Sequence, residues 1–200
     1  MEQFAEKKIK DFLDDLASDS LTPGGGTASA LSGALGASLF EMTGKISLKK
    51  VEENMLRTII EKLPEKRRGA EILMDLDSEA FSEVMKCFRL PKNSDEEKRF
   101  RKEKIQEALK KATDVPLMTS TLSFSILEDA HKVKEKINPN TLSDFYVSVL
   151  FLFSGVMGGI YNAEINLDSI EDEEFKTHHR EKISEIKEKA RDLLKEILNI

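Results

Sequence analysis

Cysteine is nearly absent: of 200 residues, only Cys87 carries a thiol. A single cysteine excludes an intrachain disulfide framework and a cysteine-based metal site, and it fits a reducing compartment. Positive charge is not in excess either. The net charge of −6 and the pI of about 5.3 argue against a general basic field for nucleic acid, so no nucleic-acid partner is expected. The amino terminus, MEQFAEKKIKDFLDD, has no apolar signal-peptide core, and a cytoplasmic location is expected. Repeats and low-complexity linkers are missing. At this length one domain, residues 1–200, is expected. Such a chain buries about 70% of its unfolded surface, enough for a core without staples. Forty per cent hydrophobic and 34% charged residues are globular proportions.

Long apolar runs are scarce as well. The exception is residues 145–163, FYVSVLFLFSGVMGGIYNA, which carry no charge and nearly reach bilayer-spanning length. Ser148, Ser154, three glycines and Asn162 interrupt the run. A buried central helix is therefore expected, with no membrane contact.

Only five prolines punctuate the chain: Pro23, Pro64, Pro91, Pro116 and Pro139. Proline stops helices, so the spacing predicts helices over about 3–17, 27–62 (with a possible break near Gly44), 65–88, 95–113, 117–136, 142–167 and 174–198. In the last, Ile183, Ile186, Ala190, Leu193, Leu194 and Ile197 recur at helical spacing. Ser94 with Glu97 forms a capping box that opens the fourth. Strand signals are weak. The expected fold is all-α, a bundle of about six to eight helices. Methionines 42, 55, 74, 85, 118 and 157 read as core.

Glycines cluster. Six of ten lie between Gly24 and Gly44, and Gly155, Gly158 and Gly159 form a second group. Glycine inside a helix costs up to about 1 kcal/mol relative to alanine, so these two segments are expected to pack closely, alone or around a ligand. Before the first of them, Gly24, Gly25, Gly26 and Thr27 open a helix. Uncovered N–H groups there, with the helix dipole, can bind an anion or a carbonyl; the same glycines also suit a plain turn.

Residues 70–88 carry a stripe of Leu73, Asp77, Phe81 (with Ala80), Val84 and Phe88 at helical spacing. Asp77 stands where an apolar residue belongs. Burial would raise its pKa toward a value useful in proton transfer. It can equally cap a neighbouring helix or pair with a lysine. On the apolar helix Asp144, Ser148, Gly155, Gly159, Asn162 and Asn166 fall near one face and can line a pocket. Asp144 can instead be an N-terminal helix charge, beside a Thr141 or Ser143 cap. Glu128 and His131 match half of a di-iron Glu-x-x-His pair, but no second copy exists and no metal site is expected. Lys98–Lys102 reads as a solvated helix face.

Taken together, TPGGGTASALSGALGASL (22–39), DLDSEAF (75–81), RLPKNSDEEK (89–98), ATDVPL (112–117), SDFYVSV (143–149) and NAEINLDSI with DEEF (162–175) resemble the formimidoyltetrahydrofolate cyclodeaminase and methenyltetrahydrofolate cyclohydrolase family. The resemblance spans nearly the whole chain and implies an all-helical, dimerising fold. It implies Asp77 as the proton shuttle. Thr27 stands where the family usually has serine, and it keeps the hydroxyl. The resemblance also implies Gly24–Gly26, Asn162 and Asn166 against the folate, with the Arg89, Lys92 and Asn93 loop nearby for its anionic tail, polyglutamylated or not.

The implied reaction closes 5-formimidoyltetrahydrofolate to 5,10-methenyltetrahydrofolate with loss of ammonia. N10 attacks the amidine carbon; one proton leaves N10 and one reaches the departing nitrogen. A buried carboxyl alternating between acid and base does both, so no metal or redox cofactor is expected. Hydrolysis of methenyltetrahydrofolate uses related transfers. The formimidoyltransferase domain of bifunctional relatives is not expected here. A reading from another class is a non-catalytic folate-binding dimer.

Overall fold

The computed structural model describes residues 3–200. Six α-helices form in chain order: α1 (Ile9–Leu16), α2 (Gly25–Leu48), α3 (Asn54–Phe88), α4 (Asp95–Val133), α5 (Leu142–Leu167) and α6 (Glu173–Leu198). No strand occurs among the described residues. Helices α2 to α5 form an antiparallel ring, joined by short connections as such packing requires. Contacts set the direction. Thr27 of α2 meets Asp77 of α3 and Glu41 meets Arg67. Lys66 of α3 meets Asp129 of α4. Asn166 of α5 meets Ala112 of α4. Helix α6 lies against α4 and α5. The buried side chains of all six helices join one core.

The expected break at Pro64 is absent: α3 runs through it and the break falls at residues 49–53, ahead of Asn54. A proline inside a helix costs about 3 kcal/mol. Burial of Leu56, Ile60 and Leu63 against α2 outweighs that cost at roughly 1.5–3 kcal/mol per side chain. The capping box forms as expected. Ser94 Oγ accepts from Glu97 N–H at 3.1 Å, and Glu97 accepts from the N–H groups of Ser94 and Asn93. Other expectations need correction. Leu73, Ala80 and Val84 of the expected stripe are buried, but Phe81 and Phe88 are exposed and Cys87 is buried in place of Phe88; the buried side of α3 is turned slightly from the expected stripe. Met42, Met55 and Met118 are exposed.

By length and composition, α5 is the one helix among the described residues that could cross a membrane. Here it is the central helix, packed along α2 and α4. Its glycines permit that approach. A Cβ on Gly159 would meet the Pro116 carbonyl oxygen at 2.5 Å and the Ser120 nitrogen at 2.8 Å, both backbone atoms.

The seam between α4 and α5 also explains how α4 passes Pro116. Proline has no N–H, so the Ala112 carbonyl one turn earlier loses its helical donor. The Asn166 amide of α5 donates to that oxygen at 2.7 Å, and to Asn162 O at 3.1 Å. A side chain thus replaces the missing backbone bond. Asn166→Ala is expected to cost about 1–2 kcal/mol, and clearly less in a Pro116→Ala background, where residue 116 regains its own N–H. Urea unfolding of the four variants measures this. Equal losses in both backgrounds would refute the substitution of one donor for the other.

Candidate active site

Asp77 sits where the first turn of α2 meets the middle of α3. Its Oδ2 accepts a hydrogen bond from Thr27 Oγ1 at 3.0 Å, and Thr27 Oγ1 is 3.2 Å from Ser78 Oγ. Thr27 is fully buried. The carboxylate therefore caps a neighbouring helix, one of the two structural roles its sequence position allowed. Among the described residues no lysine pairs with it; its hydrogen bonds come from Thr27. Burial pushes the Asp77 carboxyl above the usual carboxylate range; the Thr27 hydroxyl and backbone N–H pull it partly back.

Gly26 is what lets the helix end approach. A Cβ there would collide with the Asp77 carboxylate. Gly25 lies beside the Asn162 carboxamide, which a Cβ would meet at 3.2 Å. Helix α2 starts at Gly25 without a side-chain cap. The N–H groups of its first turn therefore have no partner from their own helix, as at any helix start.

These residues surround a cleft of about 190 Å³. Gly24, Gly25, Gly26, Asp77, Asn162 and Asn166, all expected from sequence, line it together. Thr27 lies behind Asp77 and holds it. Asn166 is a wall whose amide donors are both bound to backbone. Asn162 donates to Gly158 O at 2.8 Å.

Four other expected residues are not in the cleft. Asp144 lies in the first turn of α5, about 27 Å by helical rise from Asn162. Neither Thr141 nor any other side chain caps that end; the Thr141 hydroxyl donates to Asn138 O instead. Arg89 follows the end of α3, about 18 Å along the axis from Asp77, and Lys92 and Asn93 lie farther on; all three are exposed. The lysines closer in are Lys86 and Lys111, which line an adjoining cleft of about 420 Å³ with Thr22, Ser78 and Glu79. Sequence reading missed Leu21, Thr22, Phe81 and Ile165, which line the Asp77 cleft. Thr22, Phe81 and Ile165 lie inside the quoted motifs, so a signal existed; Leu21 gave none.

Among the described residues no group of three or more His, Cys, Asp or Glu side chains is placed to hold a metal ion. His131 lies 2.7 Å from Glu196. His179, buried between α4 and α6, lies 2.8 Å from both Asp114 Oδ1 and Phe175 O.

A helical bundle with a half-buried carboxyl of raised pKa under a glycine-rich helix start defines a small-molecule site suited to acid–base chemistry. Sequence comparison gives the family: the chain belongs to the formiminotransferase-cyclodeaminase family, whose profile matches residues 8–185. It is 42% identical to the methenyltetrahydrofolate cyclohydrolase of Methylorubrum extorquens, over 84% of this chain and 82% of that protein. It is 32% identical to the formimidoyltransferase-cyclodeaminase of Mus musculus over 88% of this chain, but spans only 34% of that longer protein. The crystal structure of the formiminotetrahydrofolate cyclodeaminase of Thermotoga maritima superposes with a TM-score of 0.86, at 26% identity over 96% of this chain and 94% of that one. These relatives are enzymes acting on folate one-carbon units.

The raised Asp77 pKa has a consequence for stability. A protonated Asp77 contributes stability that is fully present below the ordinary carboxylate value and is lost as pH rises through the raised one. Asp77→Asn keeps an acceptor for Thr27 and removes the buried charge. Its melting temperature relative to the parent is therefore expected to rise from acid to neutral pH. A relative melting temperature that falls over that range, in scanning calorimetry, would contradict this.

Proposed function

We propose that this chain is a methenyltetrahydrofolate cyclohydrolase with Asp77 as its proton-transfer group. The observation that carries the reading is the half-buried Asp77 carboxyl in the cleft, poised by Thr27 and by partial desolvation. Water attacks the bridging carbon of 5,10-methenyltetrahydrofolate, and the electron pair of the C=N bond moves onto nitrogen. The water gives one proton to Asp77. The C–N5 bond then breaks, Asp77 returns that proton to N5, and the hydroxyl proton leaves to solvent. The product is 10-formyltetrahydrofolate plus one proton. The Gly25 and Gly26 N–H groups at the start of α2 would suit a carbonyl oxygen of the pterin. The choice of hydrolysis is supported by the Methylorubrum cyclohydrolase, which is 42% identical and matched over most of its length.

A second reading, closure of 5-formimidoyltetrahydrofolate with ammonia release, is supported by the likeness to the Thermotoga cyclodeaminase. There the same carboxyl takes the N10 proton and delivers one to the leaving nitrogen. The functional unit is proposed to be a homodimer. Helix α5 presents Val147, Leu150 and Tyr161 as one exposed stripe, with Leu35 and Met42 exposed on the adjoining α2. Covering them with a second copy removes that apolar surface from water. Light scattering is expected to give twice 22.6 kDa; a monomer at micromolar concentration would remove the dimer from the proposal.

Asp77→Asn is expected to lower turnover on the order of 10²–10⁴-fold while folate still binds. Parent activity is expected to fall as pH drops through the raised Asp77 value, because the step needs a carboxylate. Absorbance assays with methenyl- and formimidoyltetrahydrofolate offered separately decide between the two reactions. Near-parent turnover by Asp77→Asn would end the catalytic assignment. Ammonia release from the formimidoyl substrate, with no methenyl hydrolysis, would move the reading to the cyclodeaminase.

A further inference from the structure

The mouth of the Asp77 cleft is apolar although its floor is polar. Three large side chains that usually seek burial stand there: Leu21, 59% exposed, Phe81, 37%, and Ile165, 69%. They come from three separate parts of the chain, the segment before α2, α3 and the end of α5. Exposed apolar side chains scattered singly need no explanation, but a group converging on one cleft marks a ligand surface. The floor beneath them holds the Asp77 carboxyl, the Asn162 carboxamide and the glycine turn. A fitting ligand has a polar, reactive ring at one level and an aromatic arm just above it.

Phe81 lies one turn beyond Asp77 on the same face of α3, about 6 Å along the axis. We propose that Phe81, with Leu21 and Ile165, grips the 4-aminobenzoyl ring of the substrate, an inference that rests on the folate reading above. N10 of tetrahydrofolate is bonded directly to that ring. A reacting carbon held at Asp77 therefore brings the ring to the level of Phe81, in range of offset or edge-to-face contact. The clamp selects N10-aryl pterins over simple pterins. Phe81 acts on binding and leaves the proton transfer to Asp77.

The test uses the full chain and its Phe81→Ala, Phe81→Tyr and Leu21→Ala variants, with Phe100→Ala as a control on an exposed phenylalanine outside both clefts. Steady-state kinetics with methenyltetrahydrofolate and formimidoyltetrahydrofolate are read alongside inhibition by N-(4-aminobenzoyl)-L-glutamate, the arm without the pterin. Phe81→Ala is expected to raise KM roughly 3- to 10-fold with kcat within about twofold, and to weaken the inhibitor in parallel. Leu21→Ala moves the same way by less. Phe81→Tyr, which keeps an aromatic ring, raises KM less than Phe81→Ala, and Phe100→Ala stays near the parent. If the parent turns over neither folate, the underlying folate reading fails and the clamp falls with it. If the parent is active and Phe81→Ala keeps its KM and inhibitor affinity, the clamp alone is wrong. A Phe81→Ala protein whose light-scattering mass drops while both constants hold would assign the residue to a contact between copies of the chain instead.

Discussion

The contact between the Asp77 carboxylate and the first turn of α2 constrains everything around it. A charged group is costly to bury, and the first N–H groups of a helix are costly to leave without acceptors. Each problem answers the other when α2 begins on Asp77. The contact requires an uncovered helix start, and Gly26 supplies it, because any Cβ there would collide with the carboxylate. It requires a donor beside the carboxylate, and buried Thr27 supplies that. Because α2 begins at this level, its start opens the cleft over Asp77. The opposing effects on the carboxyl leave it above its ordinary pKa yet anchored, which suits a group that must both accept and return a proton.

The same cleft depends on a second arrangement, at the seam of α4 and α5. Pro116 removes a donor just where α4 borders the site. The Asn166 amide crosses from α5 to satisfy the carbonyl left behind. Gly159 lets the two backbones approach at that level, since its missing Cβ would meet backbone atoms of α4. The wall of the site is thus fixed by backbone-level contacts rather than by side-chain packing alone. A wall of that kind holds its shape when a ligand enters or leaves.

Much of this was legible in the sequence because it is local. Asp77 betrays itself by interrupting an apolar stripe, the glycine groups mark the two helices that approach closely, and the capping box at Ser94 marks a helix start. What misled was reading proline as a stop. Pro64 and Pro116 both lie inside long helices, because tertiary packing and a side-chain donor from another helix offset the lost bond, and neither is encoded nearby in the chain. Phe81 and Phe88 were placed in the core on periodicity alone. They are exposed because the buried side of α3 runs through Leu73 and Val84 as expected but continues through Ala80 and Cys87 rather than the phenylalanines. Asp144 shares a helical face with Asn162 but lies near the far end of α5; periodicity fixes a direction around the axis and says nothing of level along it. Leu21 joins the site only through folding.

The central claim is that burial and Thr27 together set the protonation of Asp77. Carbon-13 NMR titration of the Asp77 carboxyl tests it directly, in the parent and in Thr27→Val. The account predicts a parent pKa above the ordinary carboxylate value, and a higher one in Thr27→Val, because the lost hydroxyl had favoured the charged form. A parent value at or below the ordinary one, or a value indifferent to Thr27→Val, would contradict it.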